Sequence, residues 1–594
     1  MKGKDRGTYE FGGFRMEVGR RVLLREGNPV PLTPKVFDTL LYLVRRKGEL
    51  VEKDDLMKAI WPDTVVEENN LNQNISALRR ALGEGRGDSR YILTVPGRGY
   101  RFVAEVEGES PEGEPEAAAT TVRLGVLPFE NIGTGPEHDY LADGLTEETI
   151  ASLGQVDPEH FQVIGRTTVM RYKSTTKTLA EIGQELEANY LIESSIRGEG
   201  GRLRITSKLI RTRDQVQVWS ASYNSEPGSL LTFQQELSAV IAEQIRLRLS
   251  SGRVRALARR QTRNAEAYDL YLRGRHYWHQ LSPPTTKRAI EYFRKATQLD
   301  PDYALAWSGI ADTLASTPIN GDAPTLDVWP RAKEAASRAM RSEPNLAEVQ
   351  ASFGFVKFWL DWDWIGAEAA FRKAVELDAN YPLPHRMLGL LCAHAGRYEE
   401  GRAAMRRARE LDPLLAVYQA LSAQAAFLGR DFKVAKEFAW QAIVIDPEFW
   451  VGHLQLAQAC EQLGEHEVAL EQLHAAVRLS KGNSKAISLR GYVCAKLGRV
   501  DEAQAALKIL EAVSRERFVP PYANALVYAG LGQQDKAMEW LERALEARDV
   551  HLLFLPADAK WDLLRDDVRF SALLRRCEFM KALAGNGQDW QSAK

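Results

Sequence analysis

The C-terminal half of this chain has a regular internal period. Glycines at positions 396, 429, 464, 498 and 532 are spaced by 33, 35, 34 and 34 residues, and aspartates at 378, 412 and 446 lie 34 residues apart. A period of this length fits two amphipathic helices and two turns per unit. One unit cannot bury its apolar face alone and must stack on the next. The period therefore predicts an all-α array of helix pairs over about residues 262–594.

The segments that follow this period resemble tetratricopeptide repeats. They include FRKATQLDPDYALAW, FRKAVELDANYPLP, MRRARELDPLLAVY and AWQAIVIDPEFWVG, which share one frame. The resemblance implies seven to eight units in a right-handed superhelix, whose groove usually takes a peptide or a partner protein. The terminal segment LLFLPADAKWDLLRDDVRF is expected to cap the array. Cys392, Cys460 and Cys494 each lie four residues before a repeat glycine, so we expect packing between helices and no metal or disulfide role.

A second feature lies near the N-terminus, where residues 66–82, VEENNLNQNISALRRAL, predict a helix with one apolar and one polar edge. The apolar residues at helical spacing are Leu71, Ile75, Leu78 and Leu82. The opposite side carries amides, a hydroxyl, a methyl group and an arginine, with no acid after Glu68. Such side chains suit the major groove of DNA, where amides pair with adenine and arginine pairs with guanine. A solvated helix face is the alternative for an isolated segment, and the flanking sequence favours DNA.

The segments around this helix fit one DNA-binding motif. Thr33-Pro34 marks the start of a first helix, and a second short helix spans 53–61. Strands over 91–95 and 100–106 flank the turn Pro96–Gly99, and short strands precede over 9–30. The pieces LTPKVFDTLLYLV, LMKAIWP, VVEENNLNQNISALRRALG and YILTVPGRGYRF together closely resemble the OmpR/PhoB-type winged helix-turn-helix domain, over about residues 9–106.

This resemblance implies that the third helix enters the major groove of double-stranded promoter DNA, and that the wing contacts the flanking backbone or minor groove. The residues it places near DNA are Asn69, Asn70, Gln73, Ser76, Ala77 and Arg80 on the helix, and Arg98 and Arg101 on the wing. The helix has amides where better-known members often have arginines, so their base preference does not transfer. Residues 1–106 carry nineteen Lys and Arg against fifteen Asp and Glu, a net +4. This balance predicts modest electrostatic affinity and a need for a homodimer or tandem sites.

An acidic segment, Glu107–Thr121, follows the winged helix. Its sequence EGESPEGEPEAAATT has five Glu, two Pro and no basic residue, which is typical of a solvated, extended linker. Related regulators of the CadC/ToxR kind have a membrane helix at this position. Here no stretch approaches the ~20 apolar residues that span a bilayer, and the N-terminus lacks the apolar region of a signal peptide. We therefore expect a cytoplasmic protein with no membrane partner.

The middle region, about residues 122–250, alternates predicted strands and helices. Strands are expected over 122–129, 161–165, 190–197, 202–211 and 215–223, and helices over 140–153, 178–186 and 230–249. This alternation predicts an α/β domain with some adjacent antiparallel strands. The pieces LGVLPFEN, YLADGLTEETIASL, VIGRTTVMRY and ANYLIESSIRGEGGRLRITSKLIRT resemble the TolB N-terminal-like (FlgO-like) domain. That resemblance names no catalytic residue.

The sequence predicts no catalytic, cofactor or metal site. No phosphate loop of the GxxxxGK[ST] kind is present, and the first strand of the middle region is not followed by the paired acids of a phosphoacceptor domain. The turn 165–168, GRTT, offers backbone amides to an anion, although a plain turn is the favoured interpretation.

The predicted fold class is therefore multidomain: an α+β winged helix over 1–106, a linker over 107–121, a TolB-like α/β domain over 122–250 and an all-α tetratricopeptide superhelix over 262–594. The predicted function is a non-enzymatic transcriptional regulator without a cofactor. Its middle and repeat regions would sense a ligand or a partner protein and alter dimerisation, DNA affinity or contact with RNA polymerase. Two alternatives stay open: a scaffold whose winged helix docks proteins, and a ligand- or nucleotide-driven switch in the middle region.

Overall fold

The chain forms two compact units in the computed structural model, Met1–Thr120 and Thr121–Lys594. The structure describes residues 8–18, 20–25, 27–48, 51–60, 68–85, 90–95, 98–104, 122–132, 135, 139–155, 161–199, 202–225, 240, 262–279, 283–320 and 322–577. The predicted linker 107–121 and the predicted helix 230–249 lie almost entirely outside these residues. The sheet-containing middle region and the repeats belong to the same unit.

The first unit begins with a four-stranded antiparallel meander. Its strands are β1 (Thr8–Phe11), β2 (Phe14–Glu17), β3 (Val22–Arg25) and β4 (Asn28–Val30). Phe14, Met16 and Leu23 are buried, because alternate residues of a strand face the same side of the sheet. These strands confirm the broken β-region predicted over residues 9–30.

Three helices follow, as the sequence predicts: α1 (Pro34–Val44), α2 (Lys53–Ile60) and α3 (Glu68–Leu82). Thr33 occupies the N-cap position of α1 with extended backbone angles, but its side chain makes no capping hydrogen bond. Pro34, at the first helical position, has the fixed φ that a helix start needs. Buried residues of α1, α2 and α3 form one apolar core together with the strands of this unit.

A three-stranded sheet completes the winged helix. It contains β5 (Val51–Glu52), β6 (Ile92–Val95) and β7 (Gly99–Phe102), with β7 in the centre. The β6–β7 hairpin is confirmed, whereas β5 was not predicted, because two residues are too few to show a period. The backbone needs a glycine at position 99, since a Cβ there would lie 2.0 Å from the carbonyl oxygen of Val51.

The second unit begins with a six-stranded mixed sheet. Its strands are β8 (Val122–Val126), β9 (Glu130–Ile132), β10 (Phe161–Val163), β11 (Tyr190–Glu199), β12 (Arg202–Arg211) and β13 (Val216–Ser225). Strand β8 pairs in parallel with β10 and with β11, and β9 also pairs in parallel with β11. On its other side β11 pairs antiparallel with β12, which pairs antiparallel with β13. The helices of this region are α4 (Asp139–Gly154), α5 (Arg166–Met170) and α6 (Leu179–Glu185). The structure thus confirms an α/β region with adjacent antiparallel strands.

Eight helix pairs follow within the described residues, in agreement with the predicted repeats. They are α7 (Ala265–Trp278) and α8 (Pro283–Leu299), α9 (Ala304–Asn320) and α10 (Thr325–Ser342), α11 (Ala347–Val356) and α12 (Trp364–Leu377), α13 (Pro382–His394) and α14 (Tyr398–Leu411), α15 (Ala416–Leu428) and α16 (Phe432–Ile445), α17 (Trp450–Gln462) and α18 (His466–Leu479), α19 (Ser484–Lys496) and α20 (Val500–Ser514), and α21 (Pro521–Gly530) and α22 (Gln534–Glu546). The first helix of each pair has an odd number. A π-helical turn, Lys357–Asp361, extends α11.

The turn inside each later pair contains a residue in the left-handed conformation. These residues are Gly396 (φ +77°), Arg430 (φ +63°), Gly464 (φ +77°), Gly498 (φ +73°) and Gly532 (φ +70°). Gly429 itself has φ −79°. The left-handed positions are therefore uniformly 34 residues apart, and the irregular glycine spacing reflects one turn in which arginine takes the left-handed position.

The mixed sheet region packs directly on the repeats through a buried carboxylate. Asp412 follows α14 and is 3% exposed. Its Oδ1 accepts hydrogen bonds from the backbone N (2.8 Å) and the Oγ1 (2.6 Å) of Thr168. Burial raises the pKa of Asp412, and the bonds from Thr168 act in the opposite direction. The GRTT segment, for which a plain turn was favoured, begins helix α5 and donates to a carboxyl group that the chain itself supplies.

A second contact joins the same two regions. The Nδ2 of Asn380 donates to the carbonyl oxygens of Gly154 (3.0 Å) and Phe161 (2.6 Å). Residues of the sheet, of α4 and of the repeats form one continuous apolar core. The middle and repeat regions, predicted as separate domains, are therefore packed together in one unit.

The terminal segment extends beyond a simple cap of the last helix pair. Two 3₁₀ helices, Val550–Phe554 and Ala559–Leu564, precede α23 (Val568–Arg576). The ring Nδ1 of His394, on α13, donates to the carbonyl oxygen of Leu553 (2.8 Å). Further along, the Nζ of Lys560 donates to the Oε1 of Gln458, on α17 (3.0 Å). The segment therefore runs back along the first helices of earlier pairs, where its apolar side chains gain burial.

We expect acid to weaken the second unit through His394. Burial lowers the pKa of His394 from 6.5 to about 4, because the ring is 1% exposed among aromatic side chains. The unfolded chain takes up a proton below pH 6.5 while the folded chain does not, so stability present above pH 6.5 is lost as the pH falls toward 4. Between pH 7 and 5 this loss amounts to about 2 kcal/mol.

Urea unfolding of the full chain at pH 7 and pH 5 measures this loss. In a His394→Gln variant, whose amide also donates to the carbonyl of Leu553, the difference between the two pH values should shrink by about 2 kcal/mol. An undiminished pH dependence in the variant would contradict the assignment.

Candidate nucleic-acid interface

Helix α3 buries the apolar stripe that its sequence predicts. Leu71 and Leu78 are fully buried, and Ile75 and Leu82 are 2% exposed. These side chains pack in the core that α1 and the wing sheet share. Burial of this stripe fixes the rotation of α3 about its own axis, and so determines which side chains face outward.

The predicted reading face is exposed where the structure describes it. Gln73, Ser76 and Arg80 are exposed, whereas Ala77 is half-buried against the core. The Oγ of Ser76 donates to the carbonyl oxygen of Asn72 (2.8 Å), one turn earlier. Asn69 and Asn70 lie in the first turn of α3, and their side chains are outside the described set.

Tyr100 links α3 to the wing, a contact that the sequence does not predict. The hydroxyl of Tyr100, on β7, donates to the Oδ1 of Asn72 on α3 (2.8 Å). This bond uses one acceptor of an exposed amide and holds the side chain of Asn72 beside the reading face. The sequence feature that bears on this contact is the alternation along β7, which places Tyr100 on the same buried side of the strand as Phe102.

Arg79 and Glu84 form a second link between α3 and the wing. The Nη2 of Arg79 donates to the carbonyl oxygen of Ile92 (2.9 Å) and to the Oγ1 of Thr94 (2.8 Å). The side chain of Glu84 is fully buried, and its Oε1 accepts from the backbone N of Tyr91 (2.5 Å) and of Ile92 (3.1 Å). Arg79 Nε lies 3.5 Å from the other carboxylate oxygen of Glu84. The pair thus fixes the end of α3 to strand β6.

The two predicted wing arginines differ in exposure. The side chain of Arg98 is 64% exposed and lies 3.9 Å from the equally exposed carboxylate of Glu52. Arg101 is half-buried, and its Nε is buried without an acceptor among the described residues. Arg98 is therefore the more accessible of the two to a phosphate. The tip residues Pro96 and Gly97 lie outside the described part of the chain.

No group of three or more His, Cys, Asp or Glu side chains in the described residues is arranged to hold a metal ion. The cysteines are unbridged and buried, and burial raises the pKa of Cys392 and Cys577 to about 12. Across the same residues, no helix combines the length and apolar character that crossing a bilayer requires.

Four family models match parts of the chain, two of them for tetratricopeptide repeats. Residues 27–102 match "Transcriptional regulatory protein, C terminal". Residues 120–240 match "HilA/YgeH-like transcriptional regulator, second domain", and residues 393–560 match "Tetratricopeptide repeat". The first match contains α1, α2, α3, the wing sheet and every residue predicted to contact DNA. The second assigns the middle region to a regulator domain, while its likeness to TolB stays a prediction.

Similar proteins are found among curated sequences. Transcriptional regulator HilA of Salmonella typhimurium (strain LT2) is 25% identical over 400 residues, which cover 66% of this chain and 68% of HilA. Transcriptional activator CadC of Escherichia coli (strain K12) is 35% identical over 126 residues, or 19% of this chain and 25% of CadC. Putative adenylate cyclase 3 of Rhizobium meliloti (strain 1021) is 29% identical over 188 residues, 32% of each chain.

These matches agree with the geometry of the first unit and with the repeats of the second. The winged helix presents an acid-free helix face beside an arginine-bearing wing, and the matched models of residues 27–102 and 120–240 both describe transcriptional regulators. The chain is a DNA-binding transcriptional regulator similar to HilA and CadC, with an OmpR/PhoB-type domain, a HilA/YgeH-like second domain and tetratricopeptide repeats.

Proposed function

We propose that the exposed side of α3 reads promoter DNA in the major groove, while the wing contacts the adjacent backbone or minor groove. The residues proposed to make these contacts are Asn69, Asn70, Gln73, Ser76, Ala77, Arg80, Arg98 and Arg101. The observation that carries the proposal is the exposure of Gln73 and Arg80 opposite the buried leucines of α3. No acidic residue lies between positions 69 and 83, so nothing on this segment repels phosphate.

The side chains of this face set what it can recognise. The amide of Gln73 can pair with both hydrogen-bonding atoms of an adenine edge, and Arg80 can pair with guanine or with a phosphate. Ala77 lets the helix approach closely because its side chain is small. A net charge of only +4 over residues 1–106 favours binding as a homodimer or at tandem sites. A monomer that binds one half-site tightly at physiological salt would contradict that part of the proposal.

The second unit is proposed to supply the input. Tetratricopeptide arrays are built for protein contacts, so a protein or peptide partner is one candidate signal, and a small ligand is the other. Either would act in the cytoplasm, where promoter DNA lies. The output would be a change in dimerisation, in DNA affinity or in contact with RNA polymerase.

The proposal includes no catalysis and no cofactor. Its support is that the models matched over residues 27–102 and 120–240 both describe transcriptional regulators. Similarity to a putative adenylate cyclase motivates one direct check. Conversion of ATP to cyclic AMP by the purified full chain would contradict the non-enzymatic assignment and would favour a nucleotide-driven switch.

Substitutions on the reading face test the DNA contact itself. A duplex selected from a random library by the full chain serves as the probe for fluorescence anisotropy at several salt concentrations. Arg80→Ala should weaken binding about tenfold and lower the salt slope by about one, because one phosphate or guanine contact is lost. Gln73→Ala should relax the preference at one base pair by about 1–3 kcal/mol.

Lys508→Ala is the matched control, since this exposed lysine belongs to α20 of the repeat array. Its binding curve should superimpose on that of the unmodified protein. Unchanged binding in both reading-face variants would exclude this face and favour the scaffold alternative.

Arg79 should behave differently from its neighbour Arg80. Arg79→Met removes the bonds to β6 and leaves the carboxylate of Glu84 buried without its cation, which should cost about 3 kcal/mol of stability. The variant is therefore expected to unfold at lower temperature in its winged helix and to lose DNA affinity, while keeping the salt slope of the unmodified protein. A normal melting temperature combined with a reduced slope would instead make Arg79 a direct phosphate contact.

A further inference from the structure

The first helix pair of the second unit lies in a strongly basic part of the chain. Residues 251–299 carry eleven Lys and Arg against three Asp and Glu, a net +8, although the net charge of the whole chain is −2. Helix α8 has four of these cations and only one acid. Lys and Arg clustered along one helix are the electrostatic footprint of a nucleic-acid contact. Whether this charge is available depends on the partners that the cations already have.

The cations of α8 have no acidic partner among the described residues. They are Lys287, Arg288, Arg294 and Lys295, and all four are exposed. The single acid of the helix, Glu291, lies three or four residues from each of them, a spacing that allows ion pairs. Within the described part of the chain it pairs with none of them. The positive charge of α8 is therefore directed to solvent.

Two other second helices show the usual alternative. On α10 the Nε of Arg338 lies 2.7 Å from the carboxylate of Glu334, and on α22 an Nη of Arg543 lies 2.6 Å from that of Glu539. Such pairs cancel the charge of the cation on its own helix. On α8 the like charges are left to repel one another, and an anionic partner would relieve that repulsion.

Two stacked tyrosines hold cations of α8 without cancelling their charge. The rings of Tyr277, on α7, and Tyr292, on α8, have centroids 5.5 Å apart and planes within 2° of each other. The guanidinium carbon of Arg288 lies 5.4 Å from the Tyr277 centroid, and the Nζ of Lys295 lies 5.8 Å from the Tyr292 centroid. A ring attracts a cation through its quadrupole and adds no negative charge. The rings therefore orient both cations and leave them able to bind an anion.

Helical spacing places these groups on one face. Arg288, Tyr292 and Lys295 lie at i, i+4 and i+7, so they share one side of α8 and span about 10 Å along its axis. Phe293 is fully buried and faces the core of the repeats. We call the side with Arg288, Tyr292 and Lys295, flanked by Lys287 and Arg294, the basic face of α8.

A further cation lies at the C-terminal end of the same helix. The Nδ2 of Asn264, the N-cap of α7, donates to the carbonyl oxygen of Leu299 (3.3 Å). This bond brings the preceding residue, Arg263, to the end of α8. The side chain of Arg263 is exposed and takes part in no ion pair among the described residues.

We propose that the basic face of α8 contacts the sugar-phosphate backbone of duplex DNA. Backbone phosphates are bound by exposed Lys and Arg irrespective of base sequence, and such contacts supply affinity and position without reading bases. The winged helix, with a net charge of only +4 over residues 1–106, gains little affinity of this kind. The basic face of α8 supplies it from the same chain. That the duplex is promoter DNA rests on the proposed function, whereas the backbone contact itself does not.

Salt-dependent binding of the full chain to a duplex of random sequence tests the contact. By fluorescence anisotropy, Arg288→Gln/Lys295→Gln should lower the slope of log K against log salt by about two, since each phosphate contact contributes about 0.9. Binding at physiological salt should weaken on the order of tenfold. Arg288→Lys/Lys295→Arg keeps both charges and should keep the slope. The matched control, Lys433→Gln/Lys508→Gln, removes two exposed cations from α16 and α20 and should also keep the slope.

Hydroxyl-radical footprinting gives a second readout on a long duplex with a selected site at its centre. The unmodified protein should protect backbone outside the site, and Arg288→Gln/Lys295→Gln should lose that outer protection while it keeps the site and its melting temperature. An unchanged slope and footprint in this variant would overturn the proposal. So would an equal loss of slope in the matched control, or weaker binding of a polyglutamate peptide with unchanged binding of DNA. None of these failures alters the base preference expected from Gln73, and a failure of the α3 variants leaves the slope test of α8 intact.

Discussion

The buried carboxylate of Asp412 makes the second unit one body. Asp412 lies at the end of a repeat, beside the GRTT segment of the middle region. Its carboxylate accepts the hydrogen bonds that the backbone N and the hydroxyl of Thr168 donate, so neither the acceptor nor the donors are left unpaired. An unpaired carboxylate at that depth would cost several kcal/mol, and the hydrogen bonds from Thr168 on α5 offset part of that cost. Asn380 makes an equivalent contact one repeat earlier. The sheet region, the C-terminal segment and the first helices of the repeats together line one large pocket of the second unit.

The first unit uses its buried polar groups in another way. Arg79 and Glu84 fix the end of α3 to β6, and Tyr100 fixes its middle to β7. Helix α3 and the wing are therefore held in one geometry by contacts within the first unit. Preorganisation of this kind lowers the entropy cost of binding. Under the proposed function, a signal from the second unit would act on assembly or on occupancy of DNA, since the geometry of α3 and the wing is already set.

Periodicity explains which parts of this structure were predictable. The stripe of Leu71, Ile75 and Leu78 specified α3 and its buried side, and the 34-residue period specified the helix pairs. Contacts between segments that are distant in the chain leave no periodic pattern in the sequence. Helical spacing places Arg80 on the polar face of α3, but it does not reveal that Arg79 binds the wing. The pairing of Asp412 with Thr168 likewise depends on two segments 244 residues apart. The two-residue strand β5 was missed because its partner, β7, lies far along the chain.

A chromosomal binding map tests the central claim most directly. Immunoprecipitation of the full chain from growing cells should recover a set of promoters with a shared sequence motif. A variant carrying Gln73→Ala and Arg80→Ala, present at the same abundance, should lose those sites while its second unit stays folded. Recovery of the same promoters by the variant would contradict recognition through α3, and so would a map of the unmodified protein that shows no enriched sites.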